Sequence, residues 1–216
     1  MTDHDDFAFE PVPGLPALPP KGEQVLWQGR PAALRLAIEA YGLTWILGYF
    51  AVIVAWRAAV GAADAGLAGA FAFGLPYMIL AALATVVVLA LAWVQARATV
   101  YTITTARVAM RIGAALTVTL NLPYRQIGTA RLDLRRGGTG TIALETLGDT
   151  RLSYLVCWPH VRPWHMKKTE PALRCIPDAE RVARLLSEAA ESRLALPIVT
   201  RRDAAPAGMP AAVPAE

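Results

Sequence analysis

The chain has 216 residues, of which 55% are hydrophobic and 18% charged, with a formal net charge of +4 and an isoelectric point near 9.3. Globular domains average roughly 25% charged residues, so the composition excludes a disordered chain and fits a uniform soluble domain poorly. The charges are unevenly placed: none lies between Glu39 and Arg57 or between Asp64 and Arg97, and residues 1–96 hold 4 Lys/Arg against 7 Asp/Glu while residues 97–216 hold 17 against 10. Two modules made for different surroundings are expected.

Residues 1–40 read as an acidic, proline-rich leader, with Asp3, Asp5, Asp6 and Glu10 ahead of a run of prolines. That is the opposite of the basic start of a signal peptide, so no cleavable signal is expected. A helix needs about 20 mainly apolar residues to cross a hydrocarbon core. Residues 41–60 supply one such stretch and residues 69–95 a second, whose centre from Met78 to Val94 is an almost unbroken Ile/Leu/Ala/Val run. Neither shows the polar stripe of a soluble core helix. A two-helix transmembrane hairpin is therefore predicted over 41–96, with Arg57 snorkelling to the headgroups beside Trp56 and Pro76 kinking the second helix or marking its entry. Lys21, Arg30 and Arg35 precede the first span, and Arg97, Arg107 and Arg111 follow the second, so both termini are expected in the cytoplasm. Cys157 and Cys175 then fall on the reducing side, where a structural disulfide is not expected. Gly66, Ala70 and Gly74 form a small-residue series that could pack helices closely, as in a homodimer.

After Arg97 the hydrophobic period becomes two. Tyr101 and Ile103 alternate with threonines, Val108, Met110 and Ile112 alternate with Arg107 and Arg111, and Leu116 to Leu122 alternate with Thr117, Thr119 and Asn121. Further runs at Ala130–Arg135, Thr141–Glu145 and Arg151–Val156, with a short apolar piece at Leu173–Ile176, bring the predicted total to six strands and a seventh. Gly113-Ala114, the glycines from Gly137 to Gly140 and Gly148-Asp149 punctuate them. Pro177-Asp178 then opens a helix in which Val182, Leu185, Leu186 and Ala189 share one face. The fold class is thus α+β: a membrane hairpin, then an antiparallel half-open barrel over 97–194 capped by an amphipathic helix. Residues 195–216, rich in alanine and proline, are expected to be a disordered tail.

The leader phrase from Gly22 to Pro31, two spans, then Tyr101-Thr102-Ile103-Thr104, Arg111-Ile112-Gly113, the phrase from Asn121 to Ile127 and Gly138-Thr139-Gly140-Thr141-Ile142 resemble the bacterial pleckstrin-homology-like (PH-like) membrane proteins. The opening from Asp5 to Pro16, with the phrase from Arg111 to Ile127, is similar to the photosynthetic complex assembly proteins of purple bacteria. The resemblance covers nearly the whole chain. It implies a seven-stranded barrel with a C-terminal helix, and a role assisting assembly of the photosynthetic reaction centre, with an indirect effect on the core antenna. Partners would be reaction-centre subunits or other assembly proteins. Neither span carries a histidine, the usual axial ligand of pigment magnesium, so no histidine-bound pigment is expected there. The runner-up is a general envelope protein whose domain oligomerises or reads anionic lipid.

No nucleophile, base or metal constellation stands out, and neither an enzyme nor a cofactor is expected. Cys157, His160, His165 and Cys175 have zinc-ligand residue types, but their C-x2-H-x4-H-x9-C spacing is not a standard one. The stretch from Cys157 to Pro171 reads better as a contact loop, since aromatic and cationic side chains are concentrated there in a composition that also suits membrane lipid headgroups. Trp27, Arg30, Trp158, His160, Arg162, Trp164, His165, Lys167 and Lys168 are the candidate contact residues. Arg131, Arg135, Arg136 and Arg151 add a basic face for which anionic lipid is a simpler partner than nucleic acid, because no recognition helix or base-stacking array accompanies it.

Overall fold

The sheet begins far earlier in the chain than the alternation after Arg97 predicts. In the computed structural model, which describes residues 14–15, 17–114, 116–135, 137–148 and 152–195, the leader supplies strand β1 (Val25–Gly29). It pairs antiparallel with β2 (Val100–Thr104), Gly29 facing Tyr101. β3 (Arg107–Ile112) and β4 (Val118–Pro123) complete a four-stranded sheet in the order β1-β2-β3-β4. A single 3-10 turn at Tyr124–Gln126 leads into β5 (Ile127–Leu134), which with β6 (Gly140–Thr146) and β7 (Ala172–Ile176) forms a second antiparallel sheet. The opening leader residues 1–13, the tail beyond 195, Arg136, Asp149 and Arg151 lie outside the described residues.

Every residue of β2 is buried. Tyr101 and Ile103 face the main core, and the opposite face is covered by the chain that precedes β1. Leu15 is buried, a Cβ on Gly14 would run into the Val100 side chain, and Glu23 bonds the Thr104 hydroxyl at 2.7 Å and Arg107 at 2.8 Å. The described residues of the expected leader, from Gly14 onward, are therefore part of the domain.

The strand expected at Arg151–Val156 is instead a one-turn helix, α3 (Tyr154–Cys157). β6 already has β5 on one side and β7 on the other, so no edge remains there for another strand. The seventh strand is β1. In α3 Tyr154 and Cys157 turn to the core while Leu155 and Val156 face out, a helical alternation that the period-two reading mistook. β5 is an edge strand whose Leu132 and Leu134 stay partly exposed. The C-terminal helix (Ala179–Leu194), here α4, forms as the period requires, with Val182, Leu186 and Ala189 buried in the core and Leu185 packed at its margin.

Between β1 and β2 the chain makes α1 (Ala33–Glu39) and one long helical element, α2 (Leu43–Ala98). α2 is long and apolar enough to cross a membrane, and only 6% of its most apolar 18-residue window is buried. Burial of a soluble core helix would be far higher. Helical dihedrals are lost only at Ala65 and Gly66, where Gly66 takes φ 59°. Arg57 and Phe73 would stand about 24 Å apart on a straight helix, yet the guanidinium lies 5.1 Å from the Phe73 ring centre. The two arms, 43–64 and 67–98, thus run side by side. A Cβ on Gly61 would strike the Gly69 carbonyl and one on Gly69 the Gly61 carbonyl, and Gly74 approaches Ala58, so small residues join arm to arm within one chain. Pro76 lies inside the second arm without breaking it. The Arg57 guanidinium lies over the Phe73 and Tyr77 rings.

Candidate interaction face and the stem joint

The domain is fixed to this apolar stem by a buried polar joint. Thr99, which caps the C-terminal end of α2, donates its hydroxyl to the Gln95 carbonyl at 2.8 Å and lies 3.0 Å from His160 Nε2. The other ring nitrogen, Nδ1, is 2.6 Å from the Tyr101 hydroxyl, which accepts the Arg174 backbone N–H at 3.2 Å. Nε2 also stands 3.2 Å from the Gln95 side-chain nitrogen, so one ring nitrogen faces Gln95 and Thr99 at the end of α2 and the other faces Tyr101, with the donor at each contact set by the ring tautomer. Burial, with the Arg174 charge nearby, pushes the His160 pKa down to about 3, and the ring stays neutral. Burial also raises the Tyr101 pKa far above its usual value, which keeps the phenol protonated.

Arg174 closes the joint from β7. Its guanidinium donates to the Pro159 and Glu39 carbonyls at 3.2 Å each, so the end of α1, the turn after α3 and β7 are held together. The Ala32 N–H donates to the Cys175 carbonyl at 2.8 Å. Cys175 and Cys157 are free and buried, and burial together with the Glu39 carboxylate pushes the Cys175 thiol up to about 12. It is an inert packing thiol.

The expected contact loop divides into a tethered part and an outward part. Lys168 pairs with Glu145 at 2.8 Å and Arg162 with Glu170 at 3.1 Å, while Arg131 reaches both carboxylates, at 3.2 and 3.3 Å. The Lys168 ammonium and Thr129 hydroxyl hold the Glu145 carboxyl down to about 2. Arg162 and Lys168 therefore clasp the loop onto β5 and β6. What projects is Trp164, 86% exposed with φ 65°, together with His165, Met166 and Lys167. Trp158 is 40% exposed and packs edge-on against Tyr41 at 5.1 Å, beside the first turn of α2. Leu155, 84% exposed, and Val156 lie just ahead of it.

One candidate is internal and a second is half-buried against the core. His160 is fully buried and meets no partner from outside. Trp27 packs on the core, and its indole occupies the space where a Cβ on Gly29 would stand, so Trp27-Gln28-Gly29 is a packing motif of β1. Arg30 follows β1 and is exposed.

A model of the bacterial PH domain matches residues 36–190. The chain belongs to this family. It is also 48% identical over 201 residues, 92% of this chain and 94% of the relative, to an uncharacterized 23.7 kDa protein in the puhA 5′ region of Rhodobacter capsulatus. No solved structure matches.

Seen as a PH-like domain, the molecule gathers the four zinc-type residues into no common site. Among the described residues no three His, Cys, Asp or Glu stand together as a metal-binding group. Sequence reasoning missed Tyr101, Arg174 and Glu39, because a buried arginine within a strand-like Ala-Leu-Arg-Cys-Ile run and a tyrosine in an alternating strand look like ordinary solvated and core positions. The one available signal was the charge itself, in an otherwise apolar segment.

Proposed function

We propose that the protein is an integral membrane assembly factor of the PuhB type, assisting biogenesis of the photosynthetic reaction centre, and indirectly of the core light-harvesting complex, through protein–protein contacts and without catalysis. The carrying observation is the joint: His160, Tyr101 and Arg174 lock the PH-like domain to an apolar stem, so the domain holds one orientation beside any membrane-inserted partner. Such tethering raises the local concentration at which modest contacts suffice. The photosynthesis-related setting of the relative in the puhA 5′ region supports the same reading. In it the stem crosses the bilayer twice, since its first arm, about 33 Å long, matches a hydrocarbon core of roughly 30 Å, and both termini face the cytoplasm.

Deletion of the gene is expected to lower reaction-centre absorbance and slow phototrophic growth, with recovery on complementation. Normal absorbance and growth in the deletion strain would overturn the assembly reading. Exposure of Leu155 and Val156 beside the base of the stem favours a second reading, a general envelope protein whose domain rests on the lipid surface or oligomerises. That reading predicts an envelope phenotype independent of light.

A further inference from the structure

Beside the joint lies a cleft of about 500 Å³ whose wall carries four arginines, Arg131, Arg135, Arg162 and Arg174, against two carboxylates, Glu39 and Asp133. Trp164 and His165 stand at the same wall. The arginines arrive from β5, the residue after it, the clasped loop and β7, so their charges converge from several directions. Arg174 is the decisive member. It is only 5% exposed, its terminal nitrogens meet backbone carbonyls alone, and its Nε has no partner. A buried guanidinium without a carboxylate is costly unless an anion comes close. The carboxylates at hand are already shared: Glu39 and Asp133 face Arg135, at 3.7 and 3.0 Å, and Glu170 is divided between Arg131 and Arg162.

We propose that this cleft binds a phosphate group. A planar carboxylate is satisfied by one guanidinium fork, whereas a tetrahedral phosphate presents oxygens to several forks at once. The cleft adjoins Glu39, at the end of α1 and four residues before the apolar stem begins, so its phosphate comes either from a lipid headgroup in the adjacent leaflet or from a soluble phosphorylated compound. The site depends on the PH-like domain being docked on its stem and does not depend on a role in photosynthesis.

The test uses the full chain in phosphatidylcholine nanodiscs, titrated with pyrophosphate and read by intrinsic fluorescence, with Trp164→Phe identifying the signal of the cleft. Saturable quenching that disappears in Trp164→Phe and weakens at least tenfold in Arg131→Gln and in Arg162→Gln is expected. Each of these two variants leaves Glu170 one arginine, so the fold is retained and an unchanged melting midpoint verifies it. A parallel arm measures phosphatidylglycerol or cardiolipin retained on the purified protein by native mass spectrometry. Retention lost in the same variants identifies the source as lipid, and retention indifferent to them identifies a soluble phosphate. Quenching that is linear, or equal in wild type and both variants, would overturn the proposal. So would succinate binding as tightly as pyrophosphate, which would assign the cleft to carboxylates.

Discussion

His160 sets the acid limit of the joint. Its ordinary pKa of about 6.5 in the unfolded chain falls to about 3 in the fold, so the unfolded state takes up a proton that the folded state refuses. Stability from this group is fully present above pH 6.5 and declines as pH falls toward 3, with a slope of up to about 1.4 kcal/mol per pH unit. Glu145 is shifted in the same direction but over a more acidic range. Its carboxyl is held down to about 2, so its contribution is present above the ordinary carboxylate range and is lost only as pH falls through about 2. The interval from pH 6.5 to 4.5 therefore isolates His160 among the shifted groups. Thermal melting of the detergent-solubilised chain should shift downward between pH 7 and 5, and His160→Gln, less stable throughout, should show a flatter profile. An identical slope in the variant would remove His160 as the cause. Tyr101→Phe tests the same chain of donors without a charge change. It strips His160 Nδ1 and the Arg174 N–H of their shared partner, and the loss of stability should be about 1–3 kcal/mol. Histidine and tyrosine were visible in the sequence, but their role was not: a side chain destined for a protein core and one destined for a partner have the same chemistry, and only the fold brings Thr99 and Arg174 to meet them.

The elements differ in how openly the sequence declared them. β3, β6 and α4 follow from period and turn chemistry, because each buries one face on a shared core. α3 was misread because one helical turn is too short to show a period, and Leu152, Tyr154 and Val156 mimic a strand over the same five residues. The arms of α2 were legible as apolar stretches, whereas the way they meet depends on which glycines coincide across the bend. Gly61 and Gly69 touch backbone to backbone, while Gly48 has nothing near its missing Cβ. Gly69→Val should therefore separate the arms and cost about 1–3 kcal/mol by overpacking, seen as earlier loss of helix signal on heating in detergent. Gly48→Val, also within α2, should leave the melting curve in place. Equal behaviour of the two would mean that the arms are not held by close backbone approach. At α3, Leu155→Asp exchanges an exposed apolar side chain for a charge and should leave folding intact. It should weaken flotation of the protein with vesicles only if the base of the stem rests on lipid.

At the scale of the whole molecule, the chain is built as a domain with its stem inserted between the first and second strands. β1 and the residues before it close one face of β2, and 70 residues of chain from Arg30 to Thr99 leave the sheet and return to it. This was the least legible part of the sequence, since strand pairing between residues 29 and 101 leaves no local mark. The phrase Leu26-Trp27-Gln28-Gly29 stood out only as a resemblance, and its physical reason is the Trp27 ring lying over Gly29. A fragment that begins at Arg97, the boundary the hydrophobic pattern suggests, lacks β1, Leu15 and Glu23. It should expose both the open edge and the Thr102 face of β2, and pair with other chains through that edge. Restoring residues 14–29 ahead of residue 100 through a short glycine–serine turn should rescue folding, because Gly29 and Tyr101 already face each other across an antiparallel pair. The rescued fragment still lacks α1 and the end of α2, so His160 loses Gln95 and Thr99, and Arg174 loses the Glu39 carbonyl. It should fold cooperatively but melt well below the full chain, whereas the fragment from Arg97 should elute as aggregate in size-exclusion chromatography. A monodisperse, cooperatively melting Arg97 fragment would mean that β1 is an accessory to the sheet and not its first strand.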